Sequence, residues 1–195
     1  MAQVDASSLR GVARSFKRAV NGAFDQWRYR SLVNRQAFPS PVRAILVVCK
    51  GNICRSPLAE AYLKHQVEKH GLPIVIESAG LDTSFGKTAH PLAQLVGTQG
   101  GLLLSQHATQ QLHKEQVERA DMILVMEWRQ RRRMLKLYPQ AKQKVFLLRQ
   151  FYDQSVREVA DPYSGTLEDF QTCFAMIKQA CDVLVMQMLS SGKQR

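Results

Sequence analysis

A chain of 195 residues with 45% hydrophobic content is long enough to bury one domain-sized core. No window approaches the ~18 uninterrupted apolar residues of a transmembrane helix, and the N-terminus lacks the apolar run of ~7–15 residues that marks a secretory signal. Cys49, Cys54, Cys173 and Cys181 are too few and too unevenly spaced for a disulfide-framed secreted domain, and no CxxC or paired Cys/His spacing suggests zinc. A reducing, cytoplasmic setting without metal or cofactor is expected, and the net charge of +11 suits an anionic partner without choosing one.

Residues 1–43 carry eight Arg or Lys against two Asp, a net +6 of the +11. Leu9, Val12, Ala13, Phe16, Val20, Ala23, Phe24 and Trp27 recur at helical spacing, with Arg10, Arg14, Lys17 and Arg18 elsewhere on the wheel. This predicts a basic amphipathic helix over 9–27. Such a helix can dock on the rest of the chain, pair with another copy, lie on an anionic membrane or act as a cleaved Arg-rich targeting segment. The Phe38-Pro39-Ser40-Pro41 break reads as a linker, separating an extension over 1–42 from a domain over 43–195.

From there apolar runs alternate with helical stretches. Strands are expected at Ala44–Val48, Pro73–Glu77, Met122–Met126 and Val145–Leu148. Helices are expected at Pro57–His70, near His90–Gln99, at Gln110–Arg119, Trp128–Leu137 and Leu167–Leu189. The last carries Phe170, Cys173, Phe174, Ile177, Cys181, Leu184 and Met188 along one side, with the two cysteines as packing residues. Alternation of this kind predicts a parallel α/β sheet with its site at the carboxyl ends of the strands. Arg131-Arg132-Arg133 reads as a solvated face that can steer acidic phosphopeptides, and no nucleic-acid partner is expected.

The informative segment runs from Ile45 to Pro57. A buried strand leads straight into Cys49, and a helix is expected from Pro57 with Ser56 as its N-cap. The turn between them holds Gly51 and Asn52, the residue types that best tolerate positive φ. It directs several backbone N–H groups inward as an anion cradle aided by the helix dipole. Cys49, ringed by those donors and near a guanidinium, is suited to act as a thiolate nucleophile. Arg55 can grip two phosphoryl oxygens with its planar fork, and Ser56 can donate to the thiolate when it departs. An acid for the leaving oxygen is found in Asp161-Pro162-Tyr163, after the fourth strand and so at the same sheet edge.

With these motifs in place, 43–189 resembles a low-molecular-weight protein tyrosine phosphatase. The matching segments are VCKGNICRSPLAE at 48–60, SAG at 78–80, Ser105-Gln106-His107 before Gln111-Leu112, Asp121–Met126 and DPYSGTLEDF at 161–170. The resemblance implies a doubly wound, four-stranded parallel sheet flanked by helices. It implies Cys49 as nucleophile, Arg55 as transition-state clamp and Asp161 as general acid, then base for water. Lys50, Gly51, Asn52, Ile53, Cys54 and Ser56 form the phosphate loop, with Ser78 and His107 in its supporting network and Tyr163 as a pocket wall. Cys54 matches a second loop cysteine that in some members forms a reversible disulfide with the nucleophile.

The departures carry information too. Leu81–Phe85 lacks the tryptophan of many eukaryotic members, leaving Phe85 as a candidate pocket residue. The short segment is more like bacterial members that oppose membrane tyrosine kinases in exopolysaccharide production. Ser164 replaces a second tyrosine. Ile53 stands where arginine-phosphate phosphatases typically place threonine, which favours phosphotyrosine. Two alternatives stay open: a thiol-dependent arsenate reductase, although 82–120 lacks the extra cysteines, and a phosphotyrosine-binding module without turnover.

Overall fold

The computed structural model describes residues 37–152 and 158–192, so the helix expected over 9–27 lies outside the described residues. The chain divides between Phe38 and Pro39, inside the proline-rich break. Within the described residues, strands β1 (Ala44–Cys49), β2 (Val75–Gly80), β3 (Met122–Val125) and β4 (Val145–Leu147) form one parallel sheet in the order β2-β1-β3-β4. Every residue of β3 and β4, and all of β1 after Ala44, is buried. Continuous Val, Ile and Leu runs are what a sheet covered on both faces requires.

The strand order reverses direction between β1 and β3, so the crevice at their carboxyl ends is the natural ligand site. The helices are α1 (Arg55–Lys69), α2 (Pro91–Gln99), α3 (Lys114–Arg119), α4 (Trp128–Leu137) and α5 (Leu167–Gly192), with 3-10 turns at Pro139–Gln143 and Leu148–Phe151. By length and composition α5 would pass for a membrane span. Its predicted apolar side, from Phe170 through Ile177 and Leu184 to Met188, is instead buried in the domain. Each such side chain stabilises the fold by about 1.5–3 kcal/mol. Cys173 and Cys181 belong to this packed side, and Tyr62 of α1 bonds Asp182 of α5 at 2.7 Å.

Three of the boundaries that differ from expectation have a visible cause. β2 starts two residues after Pro73 and continues to Gly80, because Ser78, Ala79 and Gly80 pair in register with Val47, Val48 and Cys49. The helix expected from Gln110 begins only at Lys114, since Gln110 and Gln111 are spent on the loop, the latter bridging Gly80. α1 begins at Arg55, not Pro57, so Cys54 rather than Ser56 occupies the N-cap. Pro57 still falls in the first turn, where a missing N–H leaves no helical bond unmade.

Candidate active site

β1 delivers Cys49 to the sheet edge, and the backbone wraps from Lys50 to Cys54 before α1 begins. The turn is made at Asn52, the described non-glycine residue with positive φ (54°). Gly51 is a close neighbour of Gly80. A Cβ on Gly80 would stand 3.1 Å from both the Gly51 carbonyl carbon and the Lys50 oxygen, and nearer still to Thr83 Cγ2. The loop therefore lies directly on the end of β2, where only hydrogen fits.

Asn52 is fully buried and uses its side chain at both ends. Its Nδ2 donates to Ser56 Oγ (2.9 Å) and Ser78 Oγ (2.8 Å), and its Oδ1 accepts from the Gln110 N–H at 2.9 Å. Ser78 in turn donates to Glu60, and His107 Nε2 contacts the Asn52 carbonyl at 2.7 Å. The network ends on sulfur: Ser56 Oγ lies 3.0 Å from Cys49 Sγ, which also accepts the Asn52 N–H at 3.2 Å. Ser56 Oγ accepts from Asn52 and keeps its own hydrogen to donate to the sulfur whenever Cys49 is a thiolate, which can only accept. This is what Ser56 does in place of the expected cap.

Arg55 is 2% exposed yet fully charged in design. Its Nη1 donates to Glu127 and to the Val159 carbonyl (3.0 Å), and its Nη2 pairs with Asp161 Oδ2 at 2.6 Å. Burial works against the charge, but Cys49, Glu127 and Asp161 outweigh it and raise the guanidinium above its ordinary value. Among the described residues, Arg55 Nε is the buried side-chain donor left with no hydrogen-bond partner. A buried N–H without an acceptor costs about 1–3 kcal/mol unless something fills the place.

These groups line a cavity of about 160 Å³ bounded by Cys49, Lys50, Gly51, Ile53, Cys54, Arg55, Asp82, Asp161 and Tyr163. Phe85 does not reach it and is 80% exposed, so the candidate pocket residue from that segment is Asp82 instead. Cys54 faces the cavity with its thiol pushed up to about 12, chiefly by burial and then by Asp161 and Cys49, which keeps it protonated near neutrality. All four cysteines are free and buried.

Four participants carry no role in the sequence reading. Glu60 lies one helical turn after Ser56, on the same face of α1, so its place was readable from i, i+4 spacing. Glu127 stands at the carboxyl end of β3, where the topology rule looks for site residues. Asp82 is the third. His90 is the least expected. It caps α2 by accepting the Leu92 N–H on Nδ1 (3.2 Å), and its backbone N–H donates to the Ile53 carbonyl at 2.7 Å. Its ring stacks on Phe170 with centroids 4.8 Å apart and meets the edge of Tyr163 at 5.7 Å. The Arg131 to Arg133 triplet also needs correction. Arg131 is buried and donates to the Val145 carbonyl, so only its two successors are solvated.

Comparison with known proteins identifies the family. The sequence model described as low molecular weight phosphotyrosine protein phosphatase matches residues 44–195. The chain is 36% identical over 151 residues to the probable low molecular weight protein-tyrosine-phosphatase EpsP of Ralstonia nicotianae, spanning 77% of this chain and 99% of that one. It superposes on the Erwinia amylovora tyrosine phosphatase AmsI with a TM-score of 0.71 at 33% identity, covering 78% of this chain and 97% of the other. The YwlE arginine phosphatase of Geobacillus stearothermophilus gives a TM-score of 0.72 at 30% identity, with the same coverages. The chain belongs to the low molecular weight phosphotyrosine protein phosphatase family.

Proposed function

We propose that this chain hydrolyses phosphotyrosine in proteins in two steps through a phosphocysteine on Cys49. The thiolate attacks phosphorus, the S–P bond forms, and the P–O bond to the tyrosine ring breaks while Asp161 gives its proton to the departing phenolate. Water then attacks the phosphocysteine, Asp161 takes the water's proton, and the S–P bond breaks to release phosphate and the thiolate. Backbone N–H groups of the loop and the guanidinium of Arg55 carry the charge that builds on the equatorial oxygens. Ser56 stabilises the sulfur as it leaves.

The observation that carries this reading is the unpartnered, buried Arg55 Nε beside Cys49 Sγ in one cavity. It sets an N–H donor that no protein group accepts from in the same site as a nucleophile. The test is hydrolysis of p-nitrophenyl phosphate with EDTA present, followed by acid quench to trap phosphorylated enzyme. Turnover and trapped phosphate that both vanish in Cys49→Ala support the reading. Arsenate-dependent thiol consumption without phosphatase turnover would favour a reductase, and phosphopeptide capture without turnover a binding module.

The likeness to an arginine phosphatase gives a second reading a specific footing. Against it stands Ile53 on the cavity wall, an apolar side chain that suits a phenyl ring and cannot hydrogen-bond a guanidinium. Paired phosphotyrosine and phosphoarginine peptides decide between them. For the physiological partner we infer a membrane tyrosine kinase of a polysaccharide export system, met from the cytoplasm, on the strength of the short 81–86 segment. Failure of the purified enzyme to dephosphorylate such a kinase would remove that partner.

A further inference from the structure

Arg129, Arg132, Arg133 and Lys136 recur at i, i+3, i+4 and i+7 along α4, and all four are exposed. Residues at these spacings are neighbours on one helix face, so they form a single cationic stripe about 10 Å long. α4 contains no acidic residue to alternate with them. Like charges three and four apart repel, so an anionic ligand beside Arg129 and Lys136 would relieve part of that repulsion. Arg131, between them in sequence, turns inward and takes no part.

The stripe is joined to the catalytic cavity. Arg133 Nη1 lies 3.7 Å from Asp82 Oδ2, and Asp82 lines the cavity that holds Cys49. At its amino end α4 begins one residue after Glu127, which holds Arg55. A peptide with its phosphotyrosine over Cys49 can leave the cavity past Asp82, and three or four extended residues would then span the stripe.

We propose that this face of α4 docks the segment flanking phosphotyrosine in substrates rich in Asp and Glu. The proposal rests on the phosphatase reading and names the sequence class that reading leaves open. Surface ion pairs of this kind set on-rate and register and are weakened by salt.

The test compares three phosphotyrosine peptides, with acidic, neutral and basic flanks, alongside p-nitrophenyl phosphate, at low and high salt. The wild-type chain is expected to favour the acidic peptide over the neutral one by roughly 3- to 10-fold in kcat/KM, the scale of two exposed ion pairs, and to lose the preference at high salt. Arg129→Glu/Lys136→Glu is expected to reverse the order of acidic and basic peptides, and Arg129→Gln/Lys136→Gln to level them. Equal rates in the wild type, or a preference that survives charge reversal, overturns the docking surface alone. Peptide indifference together with stripe-dependent binding to phosphatidylglycerol vesicles overturns it in favour of a membrane. No turnover of p-nitrophenyl phosphate sinks the phosphatase reading, and this proposal with it.

Discussion

The sulfur of Cys49 and the hydroxyl oxygen of Ser56 lie 3.0 Å apart, although they stand seven positions apart in the chain. Ser56 is in turn held by Asn52, which also bonds Ser78, so the oxygen is fixed within reach of the sulfur. A hydrogen bond to a charged partner contributes about 1.5–3 kcal/mol. Ser56→Ala is therefore expected to slow phosphoenzyme breakdown by roughly 10- to 100-fold. Rapid-quench kinetics on p-nitrophenyl phosphate should show a burst of nitrophenol followed by a slow steady state. Loss of burst and steady state in equal measure would place Ser56 in loop folding only.

Glu127 is the anchor of Arg55 on the side away from Asp161. Glu127→Ala leaves the buried guanidinium with the Val159 carbonyl and Asp161 alone, and frees it to rotate. Because Glu127 is 25% exposed, the cost should fall below the ~3–5 kcal/mol of a fully buried pair, at about 1–2 kcal/mol. Urea titration measures that loss. A drop in kcat/KM larger than the loss of folded protein explains would mark Glu127 as a positioning residue for Arg55.

His90 combines two duties that single substitutions can separate. His90→Asp keeps an N-cap acceptor, since aspartate is among the preferred caps. It removes the ring contacts to Phe170 and Tyr163. Aromatic pairs contribute about 0.5–1.5 kcal/mol, so KM for aryl phosphates is expected to rise roughly 2- to 10-fold with kcat near that of the wild type. His90→Phe should show the converse, a lower Tm with KM retained. An unchanged KM in His90→Asp would show that the His90 ring does not position Tyr163 for substrate.

Burial pushes the thiols of Cys54 and Cys173 from 9.0 up to about 12, and raises Cys181 as well. A thiol whose value is higher in the folded chain than in the unfolded one favours the fold while it stays protonated. That contribution is complete below about pH 9 and is lost as pH rises from 9 towards 12. Stability measured by denaturant titration should fall across this window, and Cys173→Ala should fall less steeply. Iodoacetamide near neutral pH should accordingly spare Cys54 and Cys173.

Much was legible in the residues themselves. The strand entering Cys49, the Gly51-Asn52 turn and the proline at the start of α1 are local signals, each with a local cause in φ preference or hydrogen-bond supply. The seven apolar positions of α5 repeat with helical period, so its buried side was readable without a neighbour. The order of strands and helices then left a parallel sheet with its crevice beside Cys49.

What tertiary structure alone decided concerns groups brought together across long stretches of chain. Ser56 reads locally as a helix cap, but the helix starts earlier and Asn52 turns its hydroxyl to the sulfur. Phe85 and Asp82 are three residues apart, and which of them faces the cavity depends on how the 81–86 segment folds back. Glu127 meets Arg55 from 72 residues away, and His90 meets Phe170 across the sheet edge. Sequence period determines which face of an element is apolar, whereas the partner of a polar group is chosen by packing, because a buried charge or donor takes whichever counterpart the folded chain brings within reach.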